Sequence, residues 1–465
     1  MTDPRALWRP LAVAAAALAA LSGCSQFQPH QRPDTPLPTQ WRGANDAVAG
    51  DASVQPLPWQ AFVTHEPLRA LVQRALDHNR DARAAAAQLE QLRAQFRVRE
   101  AARLPTVAAG ATGERRTTGE NQPIDSLYSA GLQIANWEID FFGRLESLSE
   151  AARAQYLASE EALRFTRISL VAGVTSAWLD LQASDALLAL TERTLANRQD
   201  ALRLTRLRFE HGAASALELR QAESLVASAQ ATLAQQRRQR ALARNALVLL
   251  VGQLPVDAAV APSPVVPDAE AVLAEVPVAL PSQVLLERPD VRAAEQRLAA
   301  ANAQIGAARA AFFPRISLTA NLGSASAELT GLFASGSWGW SLAPQALLPI
   351  FDGGANRANL ASAEAGREAA LAQYEQAIQT AFKEVNDALA GRDTLGEQWQ
   401  AQQALVKAEG ERLRLSELRL RQGVASDLER LDAQRSLFAA EQALVQTRYA
   451  RLQNRVALYR AMGGF

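Results

Sequence analysis

The side chains of this 465-residue chain that could do covalent or metal chemistry are few and scattered. His30, His65, His78 and His211 are its only histidines, and none has a cysteine or carboxylate partner at ligand spacing. Gly353-Gly354 has no lysine behind it, so it is no phosphate cradle, and no nucleophile elbow is present. Met1 and Met462 are the only methionines, which argues against soft-metal ligation. The reading is no enzyme, no metal and no noncovalent cofactor. What recurs is a serine with a glutamate three residues on, Ser215-x-x-Glu218 and Ser426-x-x-Glu429. The chemistry of that spacing is a capping box, in which each side chain satisfies an otherwise orphaned backbone N–H at a helix start.

Each pair belongs to a longer repeat. Arg208-Phe-Glu-His-Gly212-Ala-Ala-Ser215-Ala-Leu-Glu218 is answered by Arg419-Leu-Arg-Gln-Gly423-Val-Ala-Ser426-Asp-Leu-Glu429, 211 residues later. In both, glycine closes one helix and serine opens the next, which predicts helical hairpins with tight tips at Gly212, Ala213, Ala214 and Ser215 and at Gly423, Val424, Ala425 and Ser426. Those tips are small and weakly polar, suited to close approach by another helical hairpin. The flanks agree, since Asp81-Ala-Arg83-Ala-Ala matches Asp290-Val-Arg292-Ala-Ala, and Pro105 matches Pro314. The chain therefore reads as two homologous halves, 66–252 and 284–465, joined by a proline-rich linker at 253–283.

Lysine plus arginine and aspartate plus glutamate both number 48, so neither nucleic acid nor another polyanion is indicated as a partner. Residues 1–23 carry Arg5 and Arg9, an apolar run from Leu11 to Leu21 and then small residues, the pattern of a secretory signal too short to span a membrane permanently. The run ends Leu21-Ser22-Gly23-Cys24, which resembles the lipobox of bacterial lipoproteins. That resemblance implies cleavage before Cys24 and acylation of its thiol and amine with diacylglycerol and a fatty acid. Cys24 is the only cysteine, so no internal disulfide competes for it. Ser25 behind it lacks the aspartate that often retains such lipoproteins at the inner membrane, which favours the outer one. A proline-rich leader, 24–65, follows and should run extended over a surface.

On the helix after Ser426, Leu428, Leu431, Arg435, Phe438, Gln442, Val445, Tyr449, Leu452, Val456 and Tyr459 are spaced alternately three and four apart. That is a coiled-coil seam on a helix of roughly 54 Å. Arg, Glu and Gln recur too often for any of these helices to cross a bilayer. Two stretches, about 104–138 and 314–348, change texture. Tyr128, Ala130, Leu132 and Ile134 alternate with small or polar residues, paired with a weaker strand near Thr106 to Thr112; so do Ile316, Leu318, Ala320 and Leu322, and then Trp338, Trp340 and Leu342. Period two with one apolar face and terminal aromatics, Trp137 among them, predicts one transmembrane β-hairpin per half. Four strands cannot close a barrel, and open edges cannot sit in lipid. The chain must oligomerise: two copies would give eight strands and three would give twelve with a lumen.

These residues resemble the TolC-like outer-membrane efflux proteins, in the lipoprotein branch that serves RND-type multidrug pumps. The most specific matches are Arg288-Pro-Asp-Val-Arg-Ala-Ala-Glu-Gln-Arg297 through Phe313-Pro314, then Pro349-Ile-Phe-Asp-Gly-Gly354, Leu431-Asp-Ala-Gln-Arg-Ser436 and Leu458-Tyr-Arg-Ala-Met-Gly-Gly464. The resemblance implies a mainly α fold with a transmembrane β part. As a homotrimer it would form a twelve-stranded outer-membrane barrel continued by a twelve-helix tunnel, with an equatorial belt. It implies a duct for small toxic compounds, with a periplasmic adaptor docking at the tips and an inner-membrane RND pump as partners. It also places Leu428 and Asp432, one turn apart, at the family's constriction leucine and aspartate, where rings would narrow the mouth and bias it toward cations. The first half has Leu217 and Gln221 there, so the gate belongs to the second. Two rivals are a type I protein-secretion duct, which keeps the fold and changes the cargo, and a periplasmic adaptor or structural coiled-coil lipoprotein, which would lack the strands.

Overall fold

The computed structural model of the chain describes residues 29–33, 57–117, 124–252, 269–276, 282–424 and 426–464. Cys24 and the signal segment, much of the leader and linker, and Ala425 in the second tip lie outside the described residues.

The element order repeats itself. After the short helices α1 (Trp59–Phe62) and α2 (Glu66–His78) come α3 (Arg80–Ala101), β1 (Val107–Arg116), β2 (Asp125–Ile139), α4 (Arg144–Glu210) and α5 (Ala216–Val251). The second half then runs α6 (Pro289–Ala310), β3 (Arg315–Ser326), β4 (Trp338–Leu347), α7 (Ala355–Arg421) and α8 (Asp427–Ala461). Corresponding helices match in length: α3 and α6 have 22 residues each, and α4 and α7 have 67 each. Turn chemistry sets the boundaries. Pro105 and Pro314 stand between helix and strand, and Gly143 and Gly353 take φ of 75° and 65° where strand gives way to helix. Among the described residues no helix is long and apolar enough to cross a membrane.

Chain contacts define two compact units. The first draws on Met1–Thr35, Ala87–Glu161 and Arg292–Gln376 and holds the sheet. The two expected hairpins are joined there through β2 and β3 into one antiparallel four-stranded sheet, ordered β1-β2-β3-β4. A bulge lies between Ile134 and Trp137, with Asn136 at φ 49°, a conformation asparagine tolerates better than most residues. The extra residue keeps Trp137 and Ile139 in phase with Ile134, opposite Leu318 and Ile316. Where strand returns to helix, Asp140 accepts from the backbone N–H groups of Arg144 and Glu146 at 2.7 Å, and Asp352 does the same for Gly354 and Asn356.

The second unit, within Pro36–Ala86, Ala162–Val291 and Ala377–Phe465, holds the main apolar core. Leu68, Leu71, Val72 and Ala75 on α2 pack with Val174, Trp178, Leu179, Leu247, Val251, Leu452, Val456 and Tyr459. Phe62 stacks on Tyr459 with ring centroids 4.1 Å apart. Beside them Thr64 donates to Val272 O and Ala274 to Phe62 O, so linker residues pair with the end of the leader. Asn79 closes the space between α2 and α3: its Oδ1 caps the N–H of Ala82 at 3.0 Å and its Nδ2 donates to Leu250 O.

Arg288 anchors the C-terminal end of this unit. It is 1 % exposed and donates to Asp290 through Nε (3.0 Å) and Nη2 (2.8 Å), to Glu384 (2.8 Å) and to Ala461 O (2.5 Å). The last bond satisfies a carbonyl that the end of α8 leaves unpaired. Replacing Arg288 with Met should cost about 3 kcal/mol in urea unfolding of the purified protein, because two carboxylates and a helix-end carbonyl lose their common donor.

Candidate functional site

Two regions carry the arrangement on which function turns: the sheet and the hairpin tips. In the sheet, register decides which side chains share a face. Leu132, Leu322 and Trp340 are cross-strand neighbours on one face, as are Ile134, Ala320 and Leu342. With Trp137, Leu318, Ile316 and Trp338 they form an apolar surface, much of it exposed in the single chain. The opposite face is small and uncharged over its middle. Thr112 bonds Ser129 at 2.7 Å, and Asn321 donates to Ser341. A row of glycines, Gly110, Gly131, Gly323 and Gly339, crosses all four strands at one register. At Gly131 a Cβ would stand 2.3 Å from Leu322 O, and at Gly323 the same distance from Ala130 O, so the central strands approach there as only glycine allows. Below the apolar face Glu138 receives both Arg144, at 2.7 and 2.6 Å, and Arg315, at 2.6 Å, tying the end of β2 to α4 and β3.

At the tips, both predicted turns form with glycine in the left-handed region, φ 73° at Gly212 and 76° at Gly423. Each closes as a Schellman motif: Gly212 N–H donates to Phe209 O and Ala213 N–H to Arg208 O, matched by Gly423 to Leu420 and Val424 to Arg419. Apart from its chain neighbours, no described residue comes within 4 Å of a Cβ built on either glycine, so conformation and not crowding demands it. The caps then diverge. Ser215 and Glu218 make the full capping box, with Ser215 N–H to Glu218 Oε2 at 2.6 Å and Glu218 N–H to Ser215 Oγ at 3.2 Å. Both bonds of the box expected at Ser426 are absent: the Glu429 N–H donates to Ser426 O at 3.2 Å and not to the hydroxyl, and the Glu429 carboxylate turns across the turn to accept from Arg419 Nη1 at 2.7 Å. For the carboxylate, a guanidinium donor that is itself charged replaces the neutral backbone N–H of the box.

Leu428 and Asp432 sit in the first turns of α8, as their spacing requires. The seam expectation fails at its first and third positions: Leu428 is 53 % exposed and the Arg435 side chain is exposed, whereas Leu431, Phe438, Tyr449, Leu452, Val456 and Tyr459 are buried. Asp432 is not a free carboxylate. Arg412 Nη2 on α7 donates to its Oδ2 at 2.6 Å and Arg435 Nη2 to its Oδ1 at 2.5 Å. Arg412 also holds Glu409, so two guanidinium groups and two carboxylates balance to zero charge. The hydrogen bond from Arg412, with the charges of Arg435 and Arg412 behind it, lowers the Asp432 pKa below its ordinary 3.8. The cation-selective ring inferred from the sequence therefore starts from a carboxylate already compensated within its own chain.

The sequence reading missed Asp427, which is 1 % exposed and takes 2.6 to 2.7 Å contacts from Arg430 and a 3.3 Å bond from Thr205 on α4. The available signal was an Asp–Arg pair three apart in a first helical turn. It also missed Arg412, whose partner lies 20 residues away on another helix. In the first half, Leu217 is exposed like Leu428.

Against known proteins, the family described as outer membrane efflux protein matches residues 71–253 and 280–464. Outer membrane protein OprJ of Pseudomonas aeruginosa is 44 % identical over 450 residues, covering 96 % of this chain and 93 % of that protein. Toluene efflux pump outer membrane protein TtgC of Pseudomonas putida is 44 % identical over 455 residues, with 96 % and 93 % covered. The crystal structure of the open state of the MtrE outer membrane channel of Neisseria gonorrhoeae superimposes with a TM-score of 0.81 at 35 % identity, covering 95 % of this chain and 98 % of that one.

The unequal caps lead to unequal costs. Ser215→Ala should destabilise the first tip by about 1 kcal/mol, whereas Ser426→Ala should leave the second unchanged, as read by amide hydrogen exchange in the first turns of α5 and α8. Equal losses at both tips would mean that the second box forms.

Proposed function

The chain belongs to the outer membrane efflux protein family, and on that premise we propose that it is the passive outer-membrane duct of a three-part efflux assembly. It resides in the outer membrane. The observation that carries the reading is the four-stranded sheet, apolar on one face and small and polar on the other, with one edge each of β1 and β4 unpaired among the described residues. In lipid those edges need partners, and three copies joined β4 to β1 supply a closed barrel of twelve strands with an aqueous bore. The sheet also separates the chain from a periplasmic adaptor or a purely coiled-coil lipoprotein.

The cargo in this reading is small toxic compounds, in keeping with a relative named for toluene efflux. An RND-type pump in the inner membrane supplies the energy and a periplasmic adaptor meets the hairpin tips, Gly212 to Ser215 and Gly423 to Ser426. Catalysis has no part in it. Leu428 and Asp432 of three chains would narrow the inner mouth. The Arg412 and Arg435 partners of Asp432 would make the constriction a ring of ion pairs, which opening has to break or carry along. Cys24 is acylated in this reading. His30 is held against Asn302, eight residues before the end of α6 or about 12 Å along that helix. The six residues back to Cys24 reach at most roughly 20 Å. That chain length exceeds the distance from Asn302 to the end of α6.

Outer-membrane fractions should yield heat-modifiable trimers that form channels in planar bilayers, and Asp432→Ala, alone or with Leu428→Ala, should raise their single-channel conductance. Because the Asp432 pKa is depressed, its ion pairs persist above the ordinary carboxyl value of 3.8 and are lost only as pH falls through the lower bound-state value. Wild-type conductance should therefore stay flat from pH 7 to about 4. Monomers, or an unchanged conductance in both variants, would count against the duct and the gate respectively. A bulky residue at the first tip, Ala214→Trp, should abolish drug resistance while trimers form normally; retained resistance would place adaptor docking elsewhere.

A further inference from the structure

Residues 29–33 form an irregular strap on α6, where Arg32 and His30 each meet a side chain of that helix. Arg32 grips Glu295 of α6 with both ends of its guanidinium, Nε to Oε1 at 2.7 Å and Nη2 to Oε2 at 2.8 Å, and Glu295 is only 9 % exposed. His30 Nδ1 lies 2.8 Å from Asn302 Nδ2. The second contact is chemically constrained. Arg367 of α7 donates through Nε to Asn302 Oδ1 at 2.8 Å, and a guanidinium can only donate, so the amide is locked with its NH₂ toward the imidazole. His30 Nδ1 must then accept, which requires the neutral ring with its proton on Nε2. That Nε2 is buried without a hydrogen-bond partner among the described residues.

A second proton has no place in this arrangement. It would set an N–H on Nδ1 against the amide N–H of Asn302, and the amide cannot flip without turning its NH₂ toward Arg367. The charged groups facing the ring are Arg32 on the strap, Glu295 on α6 and Arg367 on α7, itself bonded to Glu368; the buried Tyr374 of α7 lies in the same electrostatic neighbourhood. Burial is the largest influence and lowers the His30 pKa, as do both arginines, and only Glu295 opposes them.

We propose that the Pro29–Pro33 strap is an acid-released clasp, docked on α6 while His30 is neutral and freed when His30 is protonated. It binds the segment that follows Cys24 to the helices next to the sheet, so its release would lengthen the free tether of an anchored protein. The proposal goes beyond the duct function and requires neither the gate nor the cargo to be as inferred. The sign is fixed by linkage. The docked ring binds a proton less readily than a free one, so docking is undiminished above pH 6.5 and weakens as pH falls below it toward the lower docked value.

The test uses the full-length protein in outer-membrane vesicles, with a nitroxide on Gln31→Cys and an unsubstituted control to account for Cys24. Label mobility is followed from pH 8 to 5. The expected result is an immobile label at pH 8 and a mobile one in acid, with a midpoint below 6.5. His30→Gln, whose Oε1 can accept from Asn302 but does not titrate, should remove the acid step. Asn302→Asp gives protonated His30 an acceptor and should move the midpoint down by about one pH unit or more. The clasp is overturned by a parent label that does not change with pH. It is overturned equally by an acid step that survives in His30→Gln, or by an unmoved midpoint in Asn302→Asp.

Discussion

A strand edge placed in hydrocarbon cannot leave its N–H and C=O groups unpaired, and much of this molecule is arranged around that demand. The chain supplies four antiparallel strands and pairs three interfaces internally, through β1–β2, β2–β3 and β3–β4. The remaining two edges can be satisfied only by further copies. The same demand explains why the lipid-compatible face is assembled so carefully. A bulge at Asn136 spends one residue to return Trp137 and Ile139 to the apolar side, since a strand out of phase would present Glu138 to lipid instead. Glu138 lies on the other face, with two arginines already waiting for it.

The helical part answers to water. Long helices in an aqueous space gain stability by burying a stripe against one another, and the tip-proximal helices do so with small residues. Ala222 and Ala229 on α5, and Ala433 and Ala440 on α8, are buried at seven-residue intervals. Two charged groups buried among these helices are paired: Asp427 with Arg430 and Thr205, and Arg198 through Nη1 with Leu225 O and over the ring of Phe438. Where side chains stay exposed near the second tip they form a balanced network. Its carboxylates are partnered from a neighbouring helix or from across the turn.

Much of this was legible before any coordinates. The repeated glycine-to-glutamate pattern located both tips, and alternation found the strands because period two is a geometric consequence of the pleat. What escaped depends on pairing across distance. Nothing in the string Ile134-Ala-Asn136-Trp137 announces a bulge, because it is defined by the phase of β3, some 180 residues away. The carboxylate half of the second capping box failed for a similar reason: Ser426-x-x-Glu429 is a sound local motif, but Arg419 across the turn offers the Glu429 side chain a charged partner. Asp432 read as a bare carboxylate because Arg412 is on another helix. Local propensity and period survive in a sequence; competition between partners does not.

The equal length of α4 and α7, 67 residues each, restricts how the two halves can change. Adding one residue to either helix would turn everything beyond it by about 100° and displace its tip by about 1.5 Å, leaving the other half unaltered. Buried stripes would rotate out of contact and the paired hairpins would no longer end together. Insertions and deletions are thus closed to each half separately, as they are to one leg of a tripod standing on a floor. Divergence has to proceed by exchange of side chains at constant count, and Gln221 at the position that matches Asp432 in the repeat is what that route looks like.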